Sequence, residues 1–268
     1  MIVEQSKQIV EEISKAFIGK TEIIEKVLMT IYAGGHVLLE DAPGVGKTTL
    51  ALAFSKVLGL SNKRIQFTTD TLPSDITGFT MFNRQTNEFE YREGAANCIA
   101  TQNPLGFSGT QPLPESQLDR FMVCLSIGYP TLESQMQIIT AQRYHNPLLD
   151  IKPVTNAQNV LEVQNYLSSV EIKDSVLRYA IRLCEETRRH PLIELGISPR
   201  GVSALVKMAR ANALIRERNY VIPEDVQSVF CDVCAHRLVL RPQAQVEGVQ
   251  AKDILGEILL KLRPGTEE

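Results

Sequence analysis

The chain has no apolar run long enough to cross a bilayer. Its longest runs, such as Val37-Leu38-Leu39, fall far short of the roughly 20 residues a spanning helix needs. Residues 1–12 are polar and mildly amphipathic and lack the continuous apolar stretch of a secretory signal, so a cytoplasmic protein is expected. A whole-chain basic field is also missing. The 28 Lys and Arg against 31 Asp and Glu leave a net charge of -3, which gives no general attraction to nucleic acid or an anionic membrane. Only a local group, Arg182, Arg188, Arg189 and His190, runs against that balance. The five cysteines (Cys98, Cys124, Cys184, Cys231 and Cys234) are odd in number and scattered, which argues against a disulfide framework. Cys231 and Cys234 form a lone CxxC without the second pair or nearby histidines that a zinc site would want, and they read as core or surface thiols. Internal repeats and low-complexity segments are absent.

What is present is an ordinary globular composition, 44% hydrophobic and 22% charged over 268 residues, enough for one large domain or two smaller ones. Residues 3–17 and 23–32 carry helical periodicity, the second ending at Gly34-Gly35. A short buried strand, 36–40, leads into a glycine-rich loop and a helix over 48–58 that stops at Gly59. Residues 64–67 read as a strand. Residues 79–82 and 88–91 flank the polar tip Asn83-Arg84-Gln85-Thr86-Asn87 as a β-hairpin. Residues 97–101 and 122–127 are two more buried strands. This alternation predicts an α/β fold with a parallel, doubly covered sheet. Beyond about residue 150 everything reads helical, including a helix opened by Ser198-Pro199-Arg200 and a last one over 249–262. The predicted division is an ATP-binding α/β core over 1–150, N-terminal helices included, and an α-helical lid over 151–268.

The strongest chemical signal is Asp41-Ala42-Pro43-Gly44-Val45-Gly46-Lys47-Thr48, followed by Thr49. A phosphate chain needs several backbone N–H groups aimed inward, and glycines let the backbone approach that closely. The helix that follows adds its positive end. In such a P-loop Lys47 reaches the β- and γ-phosphates of ATP, and the Thr48 hydroxyl holds Mg²⁺. Asp41 stands where the strict pattern has its first glycine, and Asp is among the few side chains that tolerate unusual turn angles.

Three later positions narrow the choice among P-loop proteins. Ile99-Ala100-Thr101-Gln102-Asn103-Pro104 is a strand ending in a polar residue. At the carboxyl end of a parallel strand Asn103 would face the γ-phosphate and orient the attacking water. Asn-Pro is equally an ordinary turn starter. Arg120, in Gln117-Leu118-Asp119-Arg120-Phe121, fits an arginine supplied to a neighbour's γ-phosphate, or else an ion pair with Asp119. Arg200, in Gly196-Ile197-Ser198-Pro199-Arg200-Gly201, could clamp phosphate from the lid side, or be a solvated helix-start cation.

Taken in order, LLEDAPGVGKTTLA, LPSDITGF with its hairpin, IATQNP, PLPESQLDRF and GISPRG resemble the MoxR family of AAA+ ATPases, over most of the chain from about Glu12 to about Leu240. That resemblance implies that Asn103 is sensor 1, Arg120 the arginine finger and Arg200 sensor 2, with residues 79–91 as the hairpin inserted in helix 2. It implies a homo-oligomeric ring, usually hexameric, and a chaperone-like remodelling ATPase. Partners of this family are often von Willebrand factor A-domain proteins, and the work is complex maturation or cofactor insertion. A magnesium-chelatase-type or DNA-linked motor shares the same motifs.

One element of the family is missing. An ATPase of this kind needs a Walker B strand, apolar and ending in Asp-Glu, between the hairpin and sensor 1. Here Tyr91-Arg92-Glu93-Gly94-Ala95-Ala96-Asn97-Cys98-Ile99 passes from one to the other with almost no spacer. A strand, two helices and their loops would need roughly 40 residues. Losing them would remove an interior strand and expose apolar edges. The working ATPase is therefore expected to hold such a segment near residues 94–96; without it, a nucleotide-binding scaffold that does not hydrolyse becomes the better reading.

Overall fold

The computed structural model describes residues 2–61, 79–83, 88–92, 99–102, 113–143 and 145–264. The predicted strand over 64–67 and Asn103 lie outside them. Helices α1 (Ile2–Ser14) and α2 (Thr21–Tyr32) precede strand β1 (Val37–Glu40), which runs through the glycine-rich loop into α3 (Lys47–Val57). Strands β2 (Phe79–Asn83) and β3 (Glu88–Arg92) form the expected antiparallel hairpin, with Phe79 opposite Arg92 and Asn83 opposite Glu88. Then come β4 (Ile99–Gln102), the one-turn helix α4 (Glu115–Leu118) and β5 (Val123–Leu125).

The sheet has the order β4-β1-β5 and both pairings are parallel, with Val37 level with Ile99 on one side and Val123 on the other. The two-residue side-chain period of a strand sorts its faces. Val37, Leu39, Val123 and Leu125 join the main core, whereas Leu38 and Ala100 turn to a smaller cluster with Phe121, Leu113 and Leu118. Among the described residues β4 is an edge of the sheet. Only residues 93–98 separate it from β3, too few for the expected Walker B strand, and the 268-residue chain holds no such segment.

Helices continue through α5 (Leu132–Gln142), α6 (Ala157–Leu167), α7 (Asp174–Arg189), α8 (Pro199–Ile215), α9 (Pro223–Cys234), α10 (Pro242–Val246) and α11 (Ala251–Lys261). One addition to this helical half was not foreseen: β6 (Ile193–Leu195) pairs antiparallel with β7 (Val239–Leu240). The spacing of Val202, Leu205, Val206, Ala209 and Ala213 predicts one apolar face on α8. Instead Ala204, Leu205, Met208, Ala209, Ala211, Ala213 and Leu214 are all buried, so the helix is enclosed on most sides. Small residues there let neighbouring helices approach. Its partners are α1, α2, α6, α7 and α9. Helix α2 is enclosed as well, from Ile24 through Tyr32, and the apolar cluster runs unbroken from Ile9 to Ile258. Residues 152–155 are pinned to the first helices. Lys152 N donates to Glu12 (2.9 Å), Val154 N to the Val57 carbonyl (2.8 Å), and Gln5 donates to Thr155 Oγ1 (3.0 Å).

Candidate functional site

The loop between β1 and α3 takes its shape from two glycines. Gly44 has φ of +86° and Gly46, the N-cap of α3, has φ of +95°. Side-chain-bearing residues rarely adopt such angles. A Cβ on Gly44 would meet nothing within 4 Å, so that stretch of backbone lies open; a Cβ on Gly46 would lie 3.1 Å from the Phe17 ring. The open side faces outward and the packed side rests on the end of the N-terminal helices.

Asp41 shows why a carboxylate occupies the first position of the motif. Its Oδ1 accepts from Ala42 N (2.7 Å), and its Oδ2 accepts from Ser126 Oγ (2.8 Å) and Gly128 N (2.6 Å). The start of the loop is thus tied to the segment leaving β5. Burial pushes the Asp41 carboxyl up, but the hydrogen bonds from Gly128, Ser126 and Ala42 outweigh it and hold the group below its ordinary value. Just before it, Glu40 faces Cys124 of β5 at 3.8 Å; burial, with the Glu40 charge, pushes that thiol up to about 12.

Lys47 is buried, and its ammonium reaches back across the loop to the carbonyls of Asp41 and of Ala42 (3.0 Å). Burial lowers its pKa, partly offset by Asp41. Thr48 is exposed beside it at the start of α3, and Thr49 lines a cleft of about 360 Å³. The opposing walls come from Ala16 and Ile18, from Ile138 and Ala141 of α5, and from Asn146 and Pro147. Among the described residues no group of three or more His, Cys, Asp or Glu is placed to hold a metal ion.

The remaining predicted residues lie on two segments that the structure brings together. Arg120 and Arg200 are both exposed. Beside Arg120, the Asp119 carboxylate pairs with Arg237 Nε at 2.9 Å, so Asp119 has a partner that the sequence did not point to. It also accepts from Ser198 Oγ at 3.4 Å. Ser198 is the N-cap of α8, accepting from Gly201 N at 3.2 Å, and α8 opens with Pro199 and Arg200.

Arg237 had no motif to announce it. It sits in a single helical turn, 235–237. Its side chain is 3% exposed. Burial lowers its pKa, while the hydrogen bond and charge of Asp119 raise it. The cleft walls Ile18, Ile138 and Asn146 were also missed, because apolar residues on different elements carry no local signal of convergence.

A three-stranded parallel sheet with a phosphate-type loop at the carboxyl end of its central strand, backed by a helical half, defines a P-loop nucleotide-binding protein of the AAA+ class. Comparison with known proteins narrows the class. Residues 36–98 match the model of the ATPase family associated with various cellular activities, and residues 185–258 match the AAA lid domain. The chain is 38% identical to the uncharacterized protein YeaC of Bacillus subtilis, over 93% of this chain and 92% of that one. It is 29% identical to the chaperone MoxR1 of Mycobacterium tuberculosis, over 92% and 79%. A solved structure of a proposed ATPase from Cytophaga hutchinsonii superposes with a TM-score of 0.82 at 29% identity, covering 98% of this chain and 96% of that one. The chain belongs to the MoxR family of AAA+ ATPases. The alignments with YeaC and MoxR1 run over 293 and 300 residues, longer than the 268-residue chain, so both relatives carry positions for which this chain has no counterpart.

Proposed function

We propose that this chain binds ATP with Mg²⁺ on residues 41–49 and acts as a chaperone-like AAA+ ATPase that remodels partner proteins. The observation that carries the reading is the glycine loop, open at Gly44 and turned at Gly46, with Lys47 behind it and a cleft of mixed apolar and polar lining beside Thr49. The phosphates would take the loop amides, displacing the carbonyl contacts of Lys47, and the base would enter the cleft between Ile18 and Ile138. Thr48 would hold a magnesium ion that otherwise keeps phosphate and water ligands, the usual habit of this cation. Asn103 would orient the attacking water, Arg120 would reach a neighbouring subunit's γ-phosphate, and Arg200 would clamp phosphate from the lid. The division into a core over 1–150 and a lid over 151–268, a hexameric ring, a von Willebrand factor A-domain partner and a cytoplasmic location belong to the same proposal. No described helix is long and apolar enough to cross a membrane.

Replacing Arg120 by Ala is expected to leave ATP affinity within about twofold and to lower turnover of the assembled protein by 10³-fold or more, as loss of an arginine finger does. Unchanged turnover would remove Arg120 from that role. A second reading has its own support: without a Walker B carboxylate pair the chain would be a nucleotide-responsive scaffold. Turnover at buffer background alongside saturable ATP binding would favour it.

A further inference from the structure

The cleft beside Thr49 has walls of two kinds. Ile18, Ile138 and Ala141 give it apolar faces, and Thr49, His145 and Asn146 give it polar ones. The turn that carries His145 and Asn146 is fixed to α3, the helix that begins with Lys47: Lys56 Nζ donates to the Leu148 carbonyl at 2.7 Å. Within the turn each of the two side chains uses one of its polar groups internally, so the group left over has a defined character. His145 Nε2 donates to the Asp150 carboxylate. A carboxylate only accepts, so Nε2 carries the proton, and Nδ1 of the neutral ring is left as an acceptor. Asn146 Oδ1 accepts from Leu148 N at 3.1 Å, which leaves its Nδ2 as a donor. Two adjacent residues on the cleft wall thus supply one acceptor and one donor.

We infer that His145 and Asn146 are specificity-determining residues that select adenine over a 6-oxopurine at this nucleotide site. The inference rests on the reading above, in which the base enters this cleft. Adenine presents a 6-amino donor beside the N1 acceptor. The amino group meets His145 Nδ1, and N1 meets Asn146 Nδ2. Hypoxanthine and guanine carry a carbonyl oxygen in place of the amino group, and their N1 bears a proton. Both contacts then set acceptor against acceptor and donor against donor. The mismatch discriminates because polar groups lose water without gaining a partner. The apolar walls do not make this distinction, since adenine and hypoxanthine have nearly the same shape.

The test is the binding of ATP and of inosine triphosphate, each with Mg²⁺, to the full chain by calorimetry. The two nucleotides differ only at the 6-substituent and N1. The wild type is expected to hold ATP about tenfold more tightly, a modest ratio because both side chains are exposed to competing water. Asn146→Asp keeps the acceptor for Leu148 N and replaces the donor with a second acceptor. Its added charge weakens both nucleotides alike, so the ratio of the two affinities is the readout. That ratio is expected to fall about tenfold, to unity or below. His145→Phe keeps a flat ring and removes the acceptor, and is expected to lower the ratio by about threefold or more. A merely structural role for either side chain would weaken both nucleotides together and leave the ratio in place. Equal wild-type affinity for the two nucleotides overturns the inference, as does an ATP preference that survives undiminished in either variant; ATP binding itself stands in both cases. Absence of saturable ATP binding in the wild type instead overturns the ATP reading, and the inference with it.

Discussion

Lys47 and Asp41 work on opposite sides of the same loop. The Lys47 ammonium satisfies the carbonyls of Asp41 and Ala42, contacts that a phosphate oxygen would compete for. Asp41 fixes the loop from below through Ala42, Ser126 and Gly128. The Asp41 carboxyl is held below the ordinary Asp value of 3.8. A depressed folded pKa means that its contribution is fully present above that ordinary value and is lost as pH falls through the folded one. Asp41→Asn is therefore expected to destabilise the protein by about 1–3 kcal/mol at neutral pH. The gap between mutant and wild type should narrow in acid, and thermal melts from pH 7 down to pH 3 read it. Gly46→Ala places a Cβ at a φ of +95° and 3.1 Å from Phe17. We expect a loss of about 1–2 kcal/mol in denaturant melts, and weaker ATP binding as the loop shifts. At this scale the motif residues were legible because phosphate binding imposes a contiguous spacing. Arg237 was not, because its partners, Asp119, Phe121 and Met122, lie more than a hundred positions away in sequence.

Elements were legible wherever one periodicity dominated. Helices α1, α2, α3 and α11, the β2–β3 hairpin and strands β1, β4 and β5 fall where the apolar spacing put them, within a few residues. The β6–β7 pair was missed because a three-residue and a two-residue strand cannot display a period. The enclosure of α8 was underestimated for a different reason. Ala209 and Ala213 fall on its one apolar face, yet Ala204 and Ala211 off that face are buried as well, and these small side chains let the neighbouring helices close in. The junction of α8 and α9 is held by Asp225, 1% exposed. It takes both arms of Arg218 at 2.6 Å, Asn212 Nδ2 at 2.9 Å and Ile222 N at 2.9 Å. Asp225→Ala would leave a largely buried guanidinium and a helix start without acceptors. A loss of about 3–5 kcal/mol is expected from such a break, and chemical denaturation reads it. A change below 1 kcal/mol would mean that the apolar contacts of α9 suffice alone.

For the molecule as a whole, family membership explains the order of the parts, and the sequence carries no Walker B segment between β3 and β4. Both named alignments exceed the chain's own length, so both relatives carry positions that this chain lacks. Strand β4 nevertheless takes its place beside β1, so the P-loop keeps one of its flanking strands and β5 supplies the other. Nucleotide binding depends on those three strands and on the loop, and hydrolysis on groups beyond them. The measurement that bears most directly on this account is an ATP titration, by calorimetry with Mg²⁺, of the wild type and of Lys47→Ala. The account predicts saturable wild-type binding in about the micromolar range, and a loss of tenfold or more, about 1.4 kcal/mol, in the variant. Absence of saturable binding in the wild type, or equal affinity in Lys47→Ala, would contradict it.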